Sequence, residues 1–308
     1  MAGSETLEFG RGFDLLGQAW WLFFSGITSG CLYAFVALGY VIVYNITGLF
    51  NLTAGQFVML GAMFTCTFYG FGFSLLLSTV LALIATSAIG AITWLLFLHR
   101  LYSNREPPLS MLLVIAVLST AFMGIGYLLF GTYPKSLPSF TDFSFTIADV
   151  TILPQSPWIW GGLLLTVVSL MLVFDYTSWG KAFRACSEQP LAARLMGINP
   201  NLMALISFIL AAFIGALAGV FIVPMTSASY AMGLGLTLKG FLAFMLGGLT
   251  SVKGAVVGGL ILGLLESFAG GFISTEFMEV IAIGIVIIVL LFIPEGLFGI
   301  KEEKLCRD

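Results

Sequence analysis

Long apolar stretches alternate with short polar interruptions along this chain from about residue 18 onward. Crossing the hydrocarbon of a bilayer as a helix takes roughly 20 apolar residues, because irregular backbone cannot face lipid. Runs near that length occupy about 18–44, 53–70, 72–97, 109–131, 157–174, 202–223, 235–250, 254–270 and 276–293. The pattern predicts an all-α fold, a polytopic transmembrane helical bundle with about 8–9 crossings. Runs 53–70 and 235–250 are the least able to span untilted and adjoin Gly- and Thr-rich junctions, so broken or re-entrant helices are expected there.

The first interruption reads NITGLFNLTAGQFVMLGA over residues 45–62, uncharged and followed at once by more apolar sequence. Either Asn51 or Thr53 has the chemistry to cap a helix beginning near Ala54, leaving its first N–H groups and the positive end of its dipole exposed. Gly48 and Gly55 permit a sharp turn and close helix approach. Backbone exposed at membrane depth is tolerated only beside protein or water, which makes Asn45, Asn51, Thr53 and Gly55 candidates for a translocation pathway. A plain capped turn at the membrane surface is the competing reading. The charge pattern sets this break nearer the cytoplasmic side.

Lys and Arg collect on cytoplasmic loops. His99, Arg100 and Arg105 flank one connection, Lys181, Arg184 and Arg194 lie in a second, and Lys301, Lys304 and Arg307 in the tail. The connection at 132–156 instead carries Asp142 and Asp149 against Lys135, and its FSFTIADVTI alternation predicts a small outer β-hairpin at about 140–153. With Lys253 also inside, residues 1–17 form an extracytoplasmic N-terminal segment, 18–300 a single transmembrane domain with a cytoplasmic loop at 175–201, and 301–308 a cytoplasmic tail. FVMLGA at 57–62 and FMLGGL at 244–249 echo one another in runs of opposite direction, as an inverted repeat would; chance overlap of two Gly-spaced helices gives the same echo.

Composition agrees. Of 308 residues 59% are hydrophobic and 9% charged, against about 25% charged in a soluble domain, and mean hydropathy is +1.08. A net charge of −3 offers no basic face for nucleic acid. Cys31, Cys66, Cys186 and Cys306 are widely spaced and read as unpaired thiols. The acidic start MAGSETLEFGRGFD is unlike a cleaved signal peptide.

The catalytic inventory is thin. One His excludes a multi-histidine metal site, and neither a GxSxG elbow nor a GxxxxGK[ST] phosphate loop occurs. The chain predicts no metal, no cofactor and no catalytic residue, so energy for uphill transport must come from elsewhere. Among the charged residues only Lys239 and Glu266 fall within the apolar runs away from their ends, Asp175, Glu276, Glu279 and Glu295 lying at predicted ends; Lys239 is placed to snorkel toward water, and Glu266 stands as an intramembrane site candidate or a helix-packing hydrogen bond. No buried ion pair that would read an amino acid's ammonium and carboxylate is evident.

The longest charged interior stretch, DYTSWGKAFRACSEQPLAARLMGINPN at 175–201, predicts a short amphipathic helix pair. Ser187 is an N-cap candidate, Pro190 an early helical residue, Gly197 a helix end and Pro200 the next start. Leu191, Leu195 and Met196 share a face apart from Arg184, Glu188 and Arg194. In GGLTSVKGAVVGGLILGLLE, the spacings Gly254/Gly258 and Gly259/Gly263 predict close helix packing.

RACSEQPLAARLMGIN resembles the coupling loop of integral-membrane permeases of ABC importers, specifically the LivH-type permease of branched-chain amino-acid importers. YVIVYNITGLFNLTAGQFVMLGA and LTLKGFLAFMLGGLTSVKGAVVGGLILGLLES, followed by IPEGLFG, are similar to other recurring blocks of that family in the same order. This resemblance implies that Glu188, Ala192 and Gly197, flanked by Arg184 and Arg194, belong to a loop docking in a cleft of an ATPase subunit. It further implies two ABC ATPase subunits, a second homologous permease and an extracytoplasmic solute-binding protein. Gln189 and Pro190 depart from the pattern, as does Glu295 in the tail motif.

The leading reading is a multi-pass permease subunit of the cytoplasmic (inner) membrane, N-terminus outside and C-terminus inside. It would move hydrophobic amino acids or a related small amide such as urea by alternating access, with Glu266 a further pathway candidate and the outer loops near 132–156 and 224–235 receiving the binding protein. The rivals are an ion-coupled secondary transporter using Glu266 or Lys239, and a passive small-amide channel.

Overall fold

The computed structural model describes residues 2–104, 106–141, 145–147 and 150–299. In order these form α1 (Ala2–Thr47), α2 (Ala54–Gly70) and α3 (Leu75–Thr93), which passes through a π turn at Trp94–Leu98 into α4 (His99–Ser103), then α5 (Pro108–Phe130). Strands β1 (Phe145–Ile147) and β2 (Val150–Ile152) precede α6 (Ser156–Tyr176), α7 (Ser178–Glu188) and α8 (Pro190–Leu195). The chain continues with α9 (Pro200–Thr226), α10 (Met232–Gly247), α11 (Val252–Phe272) and α12 (Met278–Phe292).

Every apolar run of the sequence became a helix, and six helical segments are long and apolar enough to cross a membrane. The remaining apolar helices, α2, α10 and α12, have 17, 16 and 15 residues. Local chemistry sets many of the boundaries. Ser74 accepts from the Leu77 amide to cap α3, Ser251 accepts from Gly254 to cap α11, and Pro108 supplies a pre-set φ at the start of α5. The strands β1 and β2 pair antiparallel, Phe145 with Ile152 and Ile147 with Val150. Asp142, Asp149, Arg105 and the tail 301–308, with Lys301, Lys304, Cys306 and Arg307, lie outside the described residues.

Burial divides the helices into two groups. The most apolar window of α1 is 89% buried and that of α9 is 67% buried, whereas those of α3, α5 and α6 are 22%, 22% and 17% buried. The centre is closed by small residues that let backbones touch. Gly259 and Gly263 of α11 lie against Ala34 and Gly30 of α1, while Gly254 and Gly258 face Gly247 and Ala243 of α10. The two pairs of the sequence pattern thus serve two different neighbours, because positions four apart share a face and the pairs are offset by five.

Two four-helix runs share one plan: a long helix, a break, a short helix and two more helices, α1–α2–α3–α5 and α9–α10–α11–α12. The sequence echo does not mark this repetition. FVMLGA begins at the fourth residue of α2, whereas FMLGGL begins at the thirteenth of α10 and runs past its end.

Candidate functional site

The interruption after α1 re-enters the bundle. Gly39 of α1 lies 3.7 Å, as measured to an added Cβ, from Ala211 of α9, and Thr47 is about 12 Å of helix farther on. The first turn of α2 nevertheless packs beside Gly215, halfway along α9, where a Cβ would stand 3.3 Å from the Ala54 carbonyl oxygen. Residues 48–53 therefore climb back along the bundle, a distance six extended residues cover at about 3.3 Å each. Gly48 makes the reversal at φ +66°, and Phe50 then stacks on Tyr44 with its edge to Phe241 of α10. Within the bundle α2 therefore begins level with the middle of α9 and α5. Charge counting fixes only where α1 ends, and tertiary packing carries the chain inward again.

At that depth α2 meets the start of α10. A methyl group on Gly55 would collide with the carbonyl oxygen of Gly233 and with Thr237. Neither side chain caps α2, against the expectation for Asn51 or Thr53: Asn51 Oδ1 accepts from the Thr53 amide at 3.2 Å and from Thr53 Oγ1 at 2.5 Å, bracing the turn before the helix, while the Ala54 amide donates to the Asn51 backbone carbonyl at 3.0 Å. Gln56 Nε2 donates to Ser119 Oγ of α5 at 3.3 Å, and Tyr40 Oη donates to the Thr237 carbonyl at 3.2 Å. Asn51, Thr53 and Gln56 are all buried. Asn51 Nδ2 and Gln56 Oε1 have no hydrogen-bond partner among the described residues. Gln56, Ser119 and Thr237 are absent from the residues expected along the pathway; a lone Gln in an otherwise apolar run is their one signal in the sequence.

Glu266 lies elsewhere, in an ionic cluster that joins four helices. Lys239 Nζ of α10 donates to Glu266 Oε1 of α11 at 2.5 Å and stands 2.8 Å from Glu279 Oε1 of α12. Tyr33 Oη of α1 donates to Glu266 Oε2 at 2.6 Å. Lys239 thus reaches two carboxylates, one nearly buried and one largely exposed, and the Lys239–Glu266 pair is satisfied within the protein. A charge removed from water is retained when paired and hydrogen-bonded in this way.

The charged loop forms two helices that meet at a sharp joint. Thr177 caps α7 by accepting from the Gly180 amide, and Ser187 lies inside α7 instead of capping the next helix. Gln189 occupies the joint in an extended conformation, φ −147° and ψ 94°, since a residue before proline is excluded from the helical region. Pro190 starts α8, Gly197 ends its turn at φ +83°, and Asn199 caps α9. Leu191, Leu195 and Met196 are 61%, 89% and 83% exposed, so the ridge has no partner within the described chain.

A cavity of about 500 Å³ lies behind α7 and brings Asn45 of α1 together with Arg184 and Glu188. Arg184 is paired with Asp175. Glu188 and Ala192 also line a surface groove in the α7–α8 joint, while Arg194 and Gly197 border a separate depression beside Asn199. Asn45, Asn51–Gly55 and Glu266 consequently occupy three places, not one. On the opposite connections, Lys135 and Ala228 pair through both backbone bonds, at 2.9 and 2.6 Å, tying the 132–156 segment to the one that leads into α10.

Residues 22–291 match the family described as the permease component of the branched-chain amino acid transport system. The high-affinity branched-chain amino acid transport system permease protein LivH of Escherichia coli K12 is 29% identical, over 91% of this chain and 96% of that protein. The corresponding BraD of Pseudomonas aeruginosa is 30% identical, over 91% and 95%. Among solved structures, PsaBC from Streptococcus pneumoniae in complex with Fab aligns over 86% of this chain and 90% of its own at a TM-score of 0.50 and 12% identity, a likeness of fold alone. This bundle of apolar helices with an amphipathic α7–α8 joint, matched by the family model over most of its length, belongs to the permease components of branched-chain amino acid transport systems.

Proposed function

We propose that this chain is the membrane-spanning subunit of an ABC importer that carries branched-chain or other hydrophobic amino acids across the cytoplasmic membrane. Its partners are two ATPase subunits, a second homologous permease, an extracytoplasmic solute-binding protein and the surrounding lipid. The short helices α2, α10 and α12 complete about nine crossings or part-crossings, with residues 1–17 outside and the tail 301–308 inside. The binding protein docks at the outer segments joined by the Lys135–Ala228 pairing. Alternating access rocks the bundle around a path bordered by Asn51, Thr53 and Gly55 at mid-depth and Asn45 at the inner end, with Glu266 holding the outer part of α11 in place.

One observation carries the mechanical part of this reading: the exposed Leu191, Leu195 and Met196 ridge on α8, beside a groove lined by Glu188 and Ala192. An apolar ridge on water is stabilised by a docked protein, and an ATPase cleft is the occupant that supplies work to a bundle without a phosphate loop. Arg184 orients α7 through Asp175, Glu188 presents a charge at the joint, Ala192 leaves room for close approach, and Arg194 and Gly197 end the docked segment.

The reading is tested in the assembled importer reconstituted with its ATPases and binding protein. Glu188→Arg and Gly197→Val should each preserve assembly yet lower the uptake obtained per ATP hydrolysed by about tenfold, the equivalent of one lost charge-assisted contact. Gly197→Val forces a β-branched residue to φ +83° and so tilts the end of α8. Uptake that persists in full without any ATPase would return the chain to the secondary-transporter or channel class.

A further inference from the structure

The cavity behind α7 has the chemistry of an amino-acid site on the inner side. Its wall is apolar, formed by Ile42 and Ile46 of α1, Met171 and Phe174 of α6 and Phe183 of α7. Its rim carries charges of both signs. Arg184 and Asp175 satisfy one another, which leaves Glu188 on α7 and Lys253 at the start of α11, neither in an ion pair among the described residues. The amides of Val252 and Lys253 open α11, so they have no acceptor within their own helix and sit at its positive end. Asn45 also lines the cavity and ties its α1 wall to the turn before α11, its Nδ2 donating to the Thr250 carbonyl at 3.2 Å.

Those groups complement a zwitterion that bears an apolar side chain. A carboxylate fits Lys253 and the α11 amides, an ammonium fits Glu188, and about 500 Å³ is within the size range of small-molecule pockets. An uncharged amide would leave both rim charges unmatched. We propose that this cavity is a product-side site, which binds the zwitterion of an apolar α-amino acid from the cytoplasm and restrains α7 against α1 and α11. A ligand stabilises the conformation it binds best, and ATP-driven coupling requires α7 to move relative to those helices. Occupancy therefore slows the cycle, giving inhibition by accumulated product. This inference rests on the importer reading above.

The test uses the complete importer in proteoliposomes, with binding protein outside and ATP inside. L-leucine loaded into the lumen should reduce the initial uptake rate and ATP hydrolysis several-fold. Neither 4-methylpentanoate, which lacks the ammonium, nor 3-methylbutylamine, which lacks the carboxylate, should do so. Lys253→Gln should raise the leucine concentration for half inhibition roughly tenfold, the equivalent of one lost charge-assisted contact. Met171→Trp, which fills the apolar wall, should remove the inhibition while uptake into leucine-free vesicles continues. Should Met171→Trp fail to assemble, Lys253→Gln alone decides. The proposal is overturned if lumenal leucine has no effect on the wild type, if either half-ligand inhibits equally, or if Lys253→Gln leaves the inhibition unchanged. In each of those cases ATP-dependent uptake remains intact; its loss of ATP dependence would instead sink the importer reading.

Discussion

The centre of the bundle and its α7–α8 face are built on opposite rules. Where α2 meets α9 and α10, glycines press backbone on backbone and the polar atoms of Asn51, Thr53 and Gln56 are sealed from water. At the α7–α8 joint the helices are short, the apolar ridge is exposed, and a cavity opens beside one side of α7, between it, the end of α1 and the start of α11. A close-packed interior transmits force because it cannot deform gradually, whereas a joint that must receive a partner needs unfilled surface. The contrast assigns rigidity to the centre and adaptability to the joint, and a substitution should have very different consequences in the two places.

The largest effect is expected at the centre. Gly55→Leu sets a side chain against the Gly233 carbonyl and Thr237, both fixed by the start of α10. Overpacking ordinarily costs about 1–3 kcal/mol, and here the obstruction is backbone, which has no alternative rotamer. The variant should cost more than about 3 kcal/mol by the same rule and fail to accumulate as monodisperse protein in detergent. Normal yield and thermal midpoint would mean that α2 and α10 separate easily, and the contrast would be lost.

A somewhat smaller effect is expected at the ionic cluster, which lies between the two extremes, with Lys239 and Glu266 side chains 21% and 9% exposed. Lys239→Met leaves Glu266 with only the Tyr33 hydroxyl as partner, and breaking a buried pair costs about 3–5 kcal/mol; the residual exposure of Lys239 puts the expectation at the low end. The double variant Lys239→Met with Glu266→Met should recover most of the loss, since replacing both partners by apolar groups is often neutral. Thermal midpoints of the two single variants and the double variant measure this. A double variant no better than the worse single one would place the function of the cluster outside Lys239–Glu266 pairing.

The same contrast explains what the sequence revealed. Punctuation at the α7–α8 joint was legible because it is local: Pro190 starts α8, Gly197 ends it and Pro200 starts α9, each through its own backbone preference. So were the apolar runs, whose lengths answer to the bilayer. The depth of α2 was not legible, because residues 48–53 are drawn inward by contacts with α9 and α10, more than 150 residues away. Nor was the meeting of Tyr33, Lys239 and Glu266, where a charge at sequence position 239 looks like an outer-end lysine until α11 and α12 are folded beside it. Ser187 misled because its capping chemistry is genuine, but the proline after Gln189 sets the boundary two residues later.

The smallest expected effect probes the joint itself. Cys186 is 1% exposed on the face of α7 turned toward the bundle, and burial raises its thiol pKa above the ordinary value. A raised thiol pKa means less thiolate at neutral pH, and thiolate is the species that reacts. In a variant with Cys31, Cys66 and Cys306 replaced by Ala, alkylation of Cys186 at pH 7.5 should be roughly tenfold slower than that of an exposed cysteine, and should accelerate as pH rises. ATP binding in the assembled importer should change this rate if α7 moves, since lifting α7 from the bundle removes the burial that depresses the thiolate. A rate already equal to that of a free thiol would show that α7 leaves the bundle without any help from ATP, making the joint looser than a lever; a rate insensitive to ATP would place the moving part in α8 alone.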